Sequence, residues 1–260
     1  MKSSLIYMYN MNKKQIVILL LSFIFVVAVA FVCMGNYIKK ESGEISQTII
    51  IMLVIFIYII FVVMIFIQAM SAFGKMIEST LFRLTPTSGR KIVLAILLFA
   101  FIYLAIFELL GTIFLYSISI KLIKGTEMYE AFIGLTQKPL QQIVSSVLFV
   151  FNLVSELLIL LFVTASVKVF SLKKKSEYGV IFALFFTLSK AMSMIYATLG
   201  KLVPRGYFMD KLLYIDESFY GGVYLYPEKF MNLYSFSFSI GIFILLVYIT
   251  GRIIDKRLEV

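Results

Sequence analysis

The chain has 260 residues, 62% of them hydrophobic, with a mean hydropathy of +1.01 and a formal net charge of +10. A soluble domain of this length does not carry so large an apolar fraction. The basic surplus does not mark a nucleic-acid surface either, because it lies in short segments between long apolar runs. One cysteine and no histidine exclude an internal disulfide, a cysteine metal cluster, HExxH zinc chemistry and a histidine-based triad. No catalytic residue and no metal site is expected on this chain.

Six apolar runs occupy approximately 16–38, 48–72, 92–116, 143–167, 179–199 and 233–251. About 20 mostly apolar residues cross about 30 Å of hydrocarbon as a helix. Within lipid the helix is the economical way to pair every backbone N–H and C=O inside one segment. The pattern therefore predicts an all-α, polytopic membrane protein, a single transmembrane domain over 1–260 with six spanning helices. The first run follows basic residues, as a signal peptide does. It is longer than such a segment and five further spans follow, so it is read as a retained span. Val32 before Cys33 argues against a lipoprotein-type cleavage, which needs a small residue there.

Orientation follows from the loops. With the N-terminus inside, the segments 1–15, 73–91, 168–178 and 252–260 hold 14 Lys and Arg over 54 residues. The outer segments 39–47, 117–142 and 200–232 hold 9 over 68, and net charges are +10 inside against +1 outside. The positive-inside rule then places both termini in the cytoplasm of a cell that carries this protein in its plasma membrane. The basic loops are suited to anionic lipid, not nucleic acid.

The segment 73–91, FGKMIESTLFRLTPTSGRK, is the most informative short stretch. At 100° per residue, Phe73, Met76, Ile77, Thr80, Leu81 and Leu84 share one arc, with Lys75, Glu78, Ser79 and Arg83 on the remainder. This predicts an amphipathic helix over 73–86, ended by Pro86 and the turn residues Ser88-Gly89. Phe82 sits in the middle of the polar arc. It is either a tolerated exposed aromatic on an interfacial helix or the anchor of a contact with a soluble partner.

The run Leu84-Thr85-Pro86-Thr87-Ser88-Gly89-Arg90-Lys91, preceded by Glu78 and followed by Ile92-Val93-Leu94, resembles the cytoplasmic loop of type-2 ABC transporter permeases. That family carries an acidic residue on a coupling helix and then a Leu-x-Pro-x-Ser-basic-basic run opening the third span. Thr85 and the extra Gly89 are departures from it. The resemblance implies that the 73–86 helix is a coupling helix. It would seat in a separate ABC ATP-binding subunit through Lys75, Glu78, Phe82 and Arg83. It also implies that two permease subunits, as a homodimer or heterodimer, form one pathway. The chain has no GxxxxGK[ST] run, so ATP and Mg would reside on the partner and this chain would bind no cofactor.

Three ionisable residues fall within spans: Glu108, Glu156 and Lys190. Such groups face the protein interior, a cavity or a partner. At 1.5 Å per residue, Glu156 and Lys190 both lie about 16 Å from the inner ends of their spans, and Glu108 about 24 Å. Equal depth makes Glu156–Lys190 a candidate ion pair, and the alternative is that these groups line a cargo route. Glu108, with no basic residue at its depth, is the better wall residue. Asn152, one turn from Glu156, is placed to hydrogen-bond with it. In the outer segment 200–232, tyrosines take the place of an absent tryptophan belt. Short interfacial helices or an exit gate are the two readings there.

These features favour the transmembrane subunit of an ATP-driven exporter of amphipathic or antimicrobial peptides, including the phenol-soluble-modulin type. The competing readings are a membrane sensor or scaffold that transports nothing, and an ABC-type lipid or drug exporter. An adjacent ATP-binding-cassette reading frame would separate transport from scaffolding. The topology has a direct test: cysteines placed at Gly43 and Gly222 should label from outside the cell, and those at Ser88 and Ser176 should not. Outside labelling at Ser88 overturns it.

Overall fold

The structure is a computed structural model that describes residues 2–38, 44–78, 88–122, 139–170, 174–202, 208–209, 214–215, 223–224, 230–231 and 233–258. The described residues form six helices: α1 (Lys2–Ile38), α2 (Glu44–Glu78), α3 (Gly89–Leu122), α4 (Pro139–Val169), α5 (Lys174–Leu202) and α6 (Leu233–Leu258). Each is long and apolar enough to cross a membrane. Much of their sequence is Ile, Val and Phe, poor helix formers in water. In lipid that preference yields to the need to pair the backbone. Among the described residues the proline, Pro139, opens α4, where its missing N–H costs nothing.

Two differences from the sequence reading concern helix ends. α1 begins at Lys2, far ahead of residue 16, with Asn12 buried and Tyr7 packed on the core. More consequentially, α2 does not stop at 72, and residues 73–78 are its last turns. Nothing before Pro86 forces a break except an isolated Gly74, which a helix tolerates. Phe73, Met76 and Ile77, the predicted apolar arc, are fully buried in the bundle, not laid on a membrane interface. Residues 73–78 of the predicted 73–86 helix thus belong to α2, and residues 79–87 lie outside the described set.

α3 is the central helix. More than half of its spanning segment is buried, against none of that of α5. It touches α1, α2, α4 and α6. In its C-terminal half, Phe107 meets Phe23 of α1 edge-to-face at 4.9 Å and stacks against Phe61 of α2 at 5.7 Å. Phe23 and Phe61 also meet edge-to-face at 4.9 Å. Such ring pairs contribute about 1 kcal/mol each beyond the area they bury. Ala69 and Ala72 of α2 have no exposure, which lets that backbone come close to its neighbours. α5 is peripheral: Ile181, Phe185, Leu188 and Met192 pack on a small separate cluster of Ile159, Val163 and Val167 from α4.

Hydroxyl groups in the spans are mostly satisfied locally. Ser155, Thr164, Ser166, Thr187 and Thr198 each donate to the carbonyl four residues earlier at 2.8–2.9 Å. Among the described residues, the buried hydroxyl of Thr250 has no hydrogen-bond partner.

The segment 200–232 also departs from expectation. Beyond Leu202, where α5 ends, its described residues are extended, not helical: β1 (Phe208–Met209) pairs antiparallel with β4 (Phe230–Met231), and β2 (Tyr214–Ile215) with β3 (Val223–Tyr224). The two pairings are nested, one hairpin inside another. All eight residues are aromatic, β-branched or methionine, and six of them are types that favour a pleated backbone.

One end of the bundle gathers the ends of α2, α4 and α6 and the starts of α3 and α5. Gly74 of α2 lies beside Lys168 of α4, and Gly89 of α3 beside Gly251 of α6. At this second contact the two backbones touch. A Cβ on Gly251 would fall against the Arg90 Cγ, 2.7 Å from the Arg90 nitrogen and 2.9 Å from its Cα. Gly251→Ala should therefore lower stability by about 2 kcal/mol through overpacking. Gly241→Ala is the control, since its Cβ would meet nothing within 4 Å. Thermal unfolding in detergent compares the two, and equal melting would show that α3 and α6 do not need this contact.

Candidate functional site

The predicted family-like run ends in a clasp between α3 and α6. Ser88 opens α3, its carbonyl accepting from Lys91 N at 2.9 Å and Ile92 N at 3.3 Å. The Gly89 N–H donates to the Asp255 carboxylate of α6. An acidic group at a helix start pairs an orphan donor and meets the positive end of the helix dipole. The Arg90 guanidinium lies 4.6 Å from the centre of the Tyr248 ring, a cation–π contact. Gly89, the departure from the family pattern, has a physical reason in this fold. A side chain there would collide with the Gly251 carbonyl and come within 2.8 Å of Ile254 Cβ. Asp255, Gly251 and Tyr248 were not singled out from the sequence. Their only signals were a glycine and an acid near the end of the last span.

Of the four proposed docking residues, Lys75 is exposed on the last turns of α2 and Glu78 is the final residue of that helix. Phe82 and Arg83 lie outside the described residues. The structure therefore fixes where the segment 79–87 leaves and rejoins the bundle, between α2 and the clasped start of α3.

The intramembrane acids fall into two separate places. Glu108 is 6% exposed in the bundle interior. Its Oε2 accepts from the Tyr58 hydroxyl of α2 at 2.9 Å, and its Oε1 from Ser146 of α4 at 3.4 Å. One carboxyl thus ties three helices together within a low-dielectric interior. It faces its own bundle, not a surface open to cargo. Tyr58 and Ser146 were not identified from the sequence, since no local spacing connects residues that meet only across helices.

Glu156 is half-buried and accepts from Ser189 of α5 at 2.7 Å. Lys190, next in sequence, is exposed and has no partner among the described residues. The two expected partners do not meet within one chain, because consecutive helical residues point about 100° apart and Ser189 occupies the side facing α4. Asn152, one turn from Glu156, is exposed. No group of three or more His, Cys, Asp or Glu able to hold a metal occurs among the described residues.

The class these features define is a multi-pass membrane protein built on six apolar helices. No protein-family model, no curated protein sequence and no solved structure matches the chain at a significant level.

The Glu108 node has a stability consequence. Tyr58→Phe removes the shorter of two hydrogen bonds to a buried carboxyl and should cost about 1 kcal/mol. Ser146→Ala, removing the bond at 3.4 Å, should cost less. Melting of the two detergent-solubilised variants gives the order, and a larger loss from Ser146→Ala would contradict the geometry.

Proposed function

We propose that this chain is the transmembrane permease subunit of an ATP-driven ABC exporter. In this reading a separate ATP-binding subunit, carrying ATP and Mg, engages the segment that joins α2 to α3. A second permease subunit completes the pathway, and the cargo is an amphipathic or antimicrobial peptide. The basic end of the bundle faces the cytoplasm of a bacterial cell.

The observation that carries the reading is the mechanical setting of the family-like segment. On one side it continues from turns of α2 that are buried in the bundle. On the other it enters α3, whose first turn is held to α6 by Asp255, Gly251 and Tyr248. A displacement of that segment by a partner would be passed to three spans at once. The same end carries Lys75, Arg90, Lys91, Lys168, Lys174 and Arg252, which agrees with a cytoplasmic face. With Glu108 enclosed, contact with a cationic peptide falls to the half-buried Glu156 and the exposed Asn152.

Phe82→Ala should leave the permease inserted and weaken recovery of the ATP-binding subunit by about 30-fold, the equivalent of about 2 kcal/mol for a lost anchor. ATPase stimulation by a panel of amphipathic peptides should fall with it. An unchanged complex with unchanged peptide-stimulated ATPase would remove Phe82 from the coupling contact. Absence of any ATP-binding partner would remove the exporter reading itself.

A further inference from the structure

α5 has two unlike faces. Ile181, Phe185, Leu188 and Met192 pack on α4. On the opposite side, Gly179, Ala183 and Lys190 share one arc of the helix, all exposed. Lys190 stands close to the middle of the helix, whose ends are Lys174 and Leu202. Snorkelling relieves it poorly: the nearer edge of the apolar span Ser176–Ile195 lies five residues C-terminal to Lys190, and a helical side chain leans the other way, toward the N-terminus and deeper into the span. An unpaired ammonium within a span is costly, so it calls for a partner.

The complementary group is on this chain. Glu156 lies at the same height, because it is hydrogen-bonded to Ser189, the residue beside Lys190. It remains half-buried, with Asn152 exposed one turn away. A two-fold axis along the membrane normal preserves depth, so Lys190 of one copy meets whatever the other copy presents at that level. An isologous contact also uses each patch twice. Two lysines facing each other across the axis would repel. The axis therefore falls to the side of α5 on which Glu156, Asn152 and Ser193 open. We infer that α5 and the exposed edge of α4 form a two-fold interface with a second copy of this chain, sealed by two reciprocal Glu156–Lys190 ion pairs.

Small residues assist this. A Cβ on Gly179 would meet nothing within 4 Å, and Ala183 follows one turn later on the same arc. A partner helix can therefore come close enough for the lysine to reach across. The inference rests on Lys190 and its depth, not on the transport reading, so either can fail alone.

Two differently tagged copies, co-expressed and solubilised in mild detergent, provide the test. Wild-type copies should recover each other. Glu156→Gln in both copies, or Lys190→Met in both, should lower recovery at least about tenfold, because each leaves a stranded charge. A Glu156→Gln copy mixed with a Lys190→Met copy should be recovered far better than either uniform pair. That assembly keeps one intact ion pair and one neutral contact. An ion pair within a single chain would give no such rescue, and that result overturns the proposal. A second readout leaves both charges in place: Ser193→Cys with Cys33→Ser should cross-link copies in native membranes with a short bis-maleimide. Failure to cross-link, or failure of wild-type copies to recover each other, also overturns it.

Discussion

Hydrocarbon offers no partner to a polar group, and the arrangement of this protein follows from where its polar groups find one. The backbone is satisfied by running as helix through all six spans. Five serine and threonine hydroxyls turn back on their own helices, each donating to the carbonyl one turn earlier. The carboxyl of Glu108 has no such local solution and takes its donors from α2 and α4. That requirement sets the rotation of three helices about their axes. The aromatic cluster of Phe23, Phe61 and Phe107 then fills the space beside it. Apolar packing alone selects weakly among rotations in lipid, because the tails are as apolar as the side chains. A single buried acid selects strongly.

Polar contacts of two kinds thus divide the work between the two ends of α3. In its C-terminal half the helix is fixed by hydrogen bonds between side chains. At its start it is fixed by close backbone approach, an acid on the first N–H and an arginine over a tyrosine ring. The first arrangement tolerates conservative change, because another hydrogen-bonding side chain of similar length can serve. The second does not, since no residue but glycine leaves room at Gly89 or Gly251.

The helices themselves were legible because lipid imposes a composition that length and hydropathy read directly. The six predicted runs each fall within one observed helix. What could not be read was where a helix ends when no breaker marks it. The amphipathic pattern of 73–86 is real as periodicity, yet Phe73, Met76 and Ile77 find their apolar surroundings inside the bundle, and α2 simply continues. Equal depth likewise located Glu156 and Lys190 at one level without fixing the direction of either side chain. Partner choice depends on helix rotation, which one chain's sequence does not report. The paired strands between 208 and 231 escaped because each is two residues long, too short for a period to show.

The exposure of α5 also bears on how the protein is made. It is the least apolar of the six spans, it buries none of its spanning segment in the bundle, and it carries a lysine within that segment. Taken alone it is the segment least inclined to leave the insertion machinery for lipid. α4 precedes it in the chain and is far more apolar, and it brings Glu156 to the depth that Ser189 will occupy. The acid is therefore in place before the helix that needs it arrives. Synthesis order makes α4 a guide for α5, and the hydrogen bond between them is the first foothold of a helix that lipid alone would hold poorly.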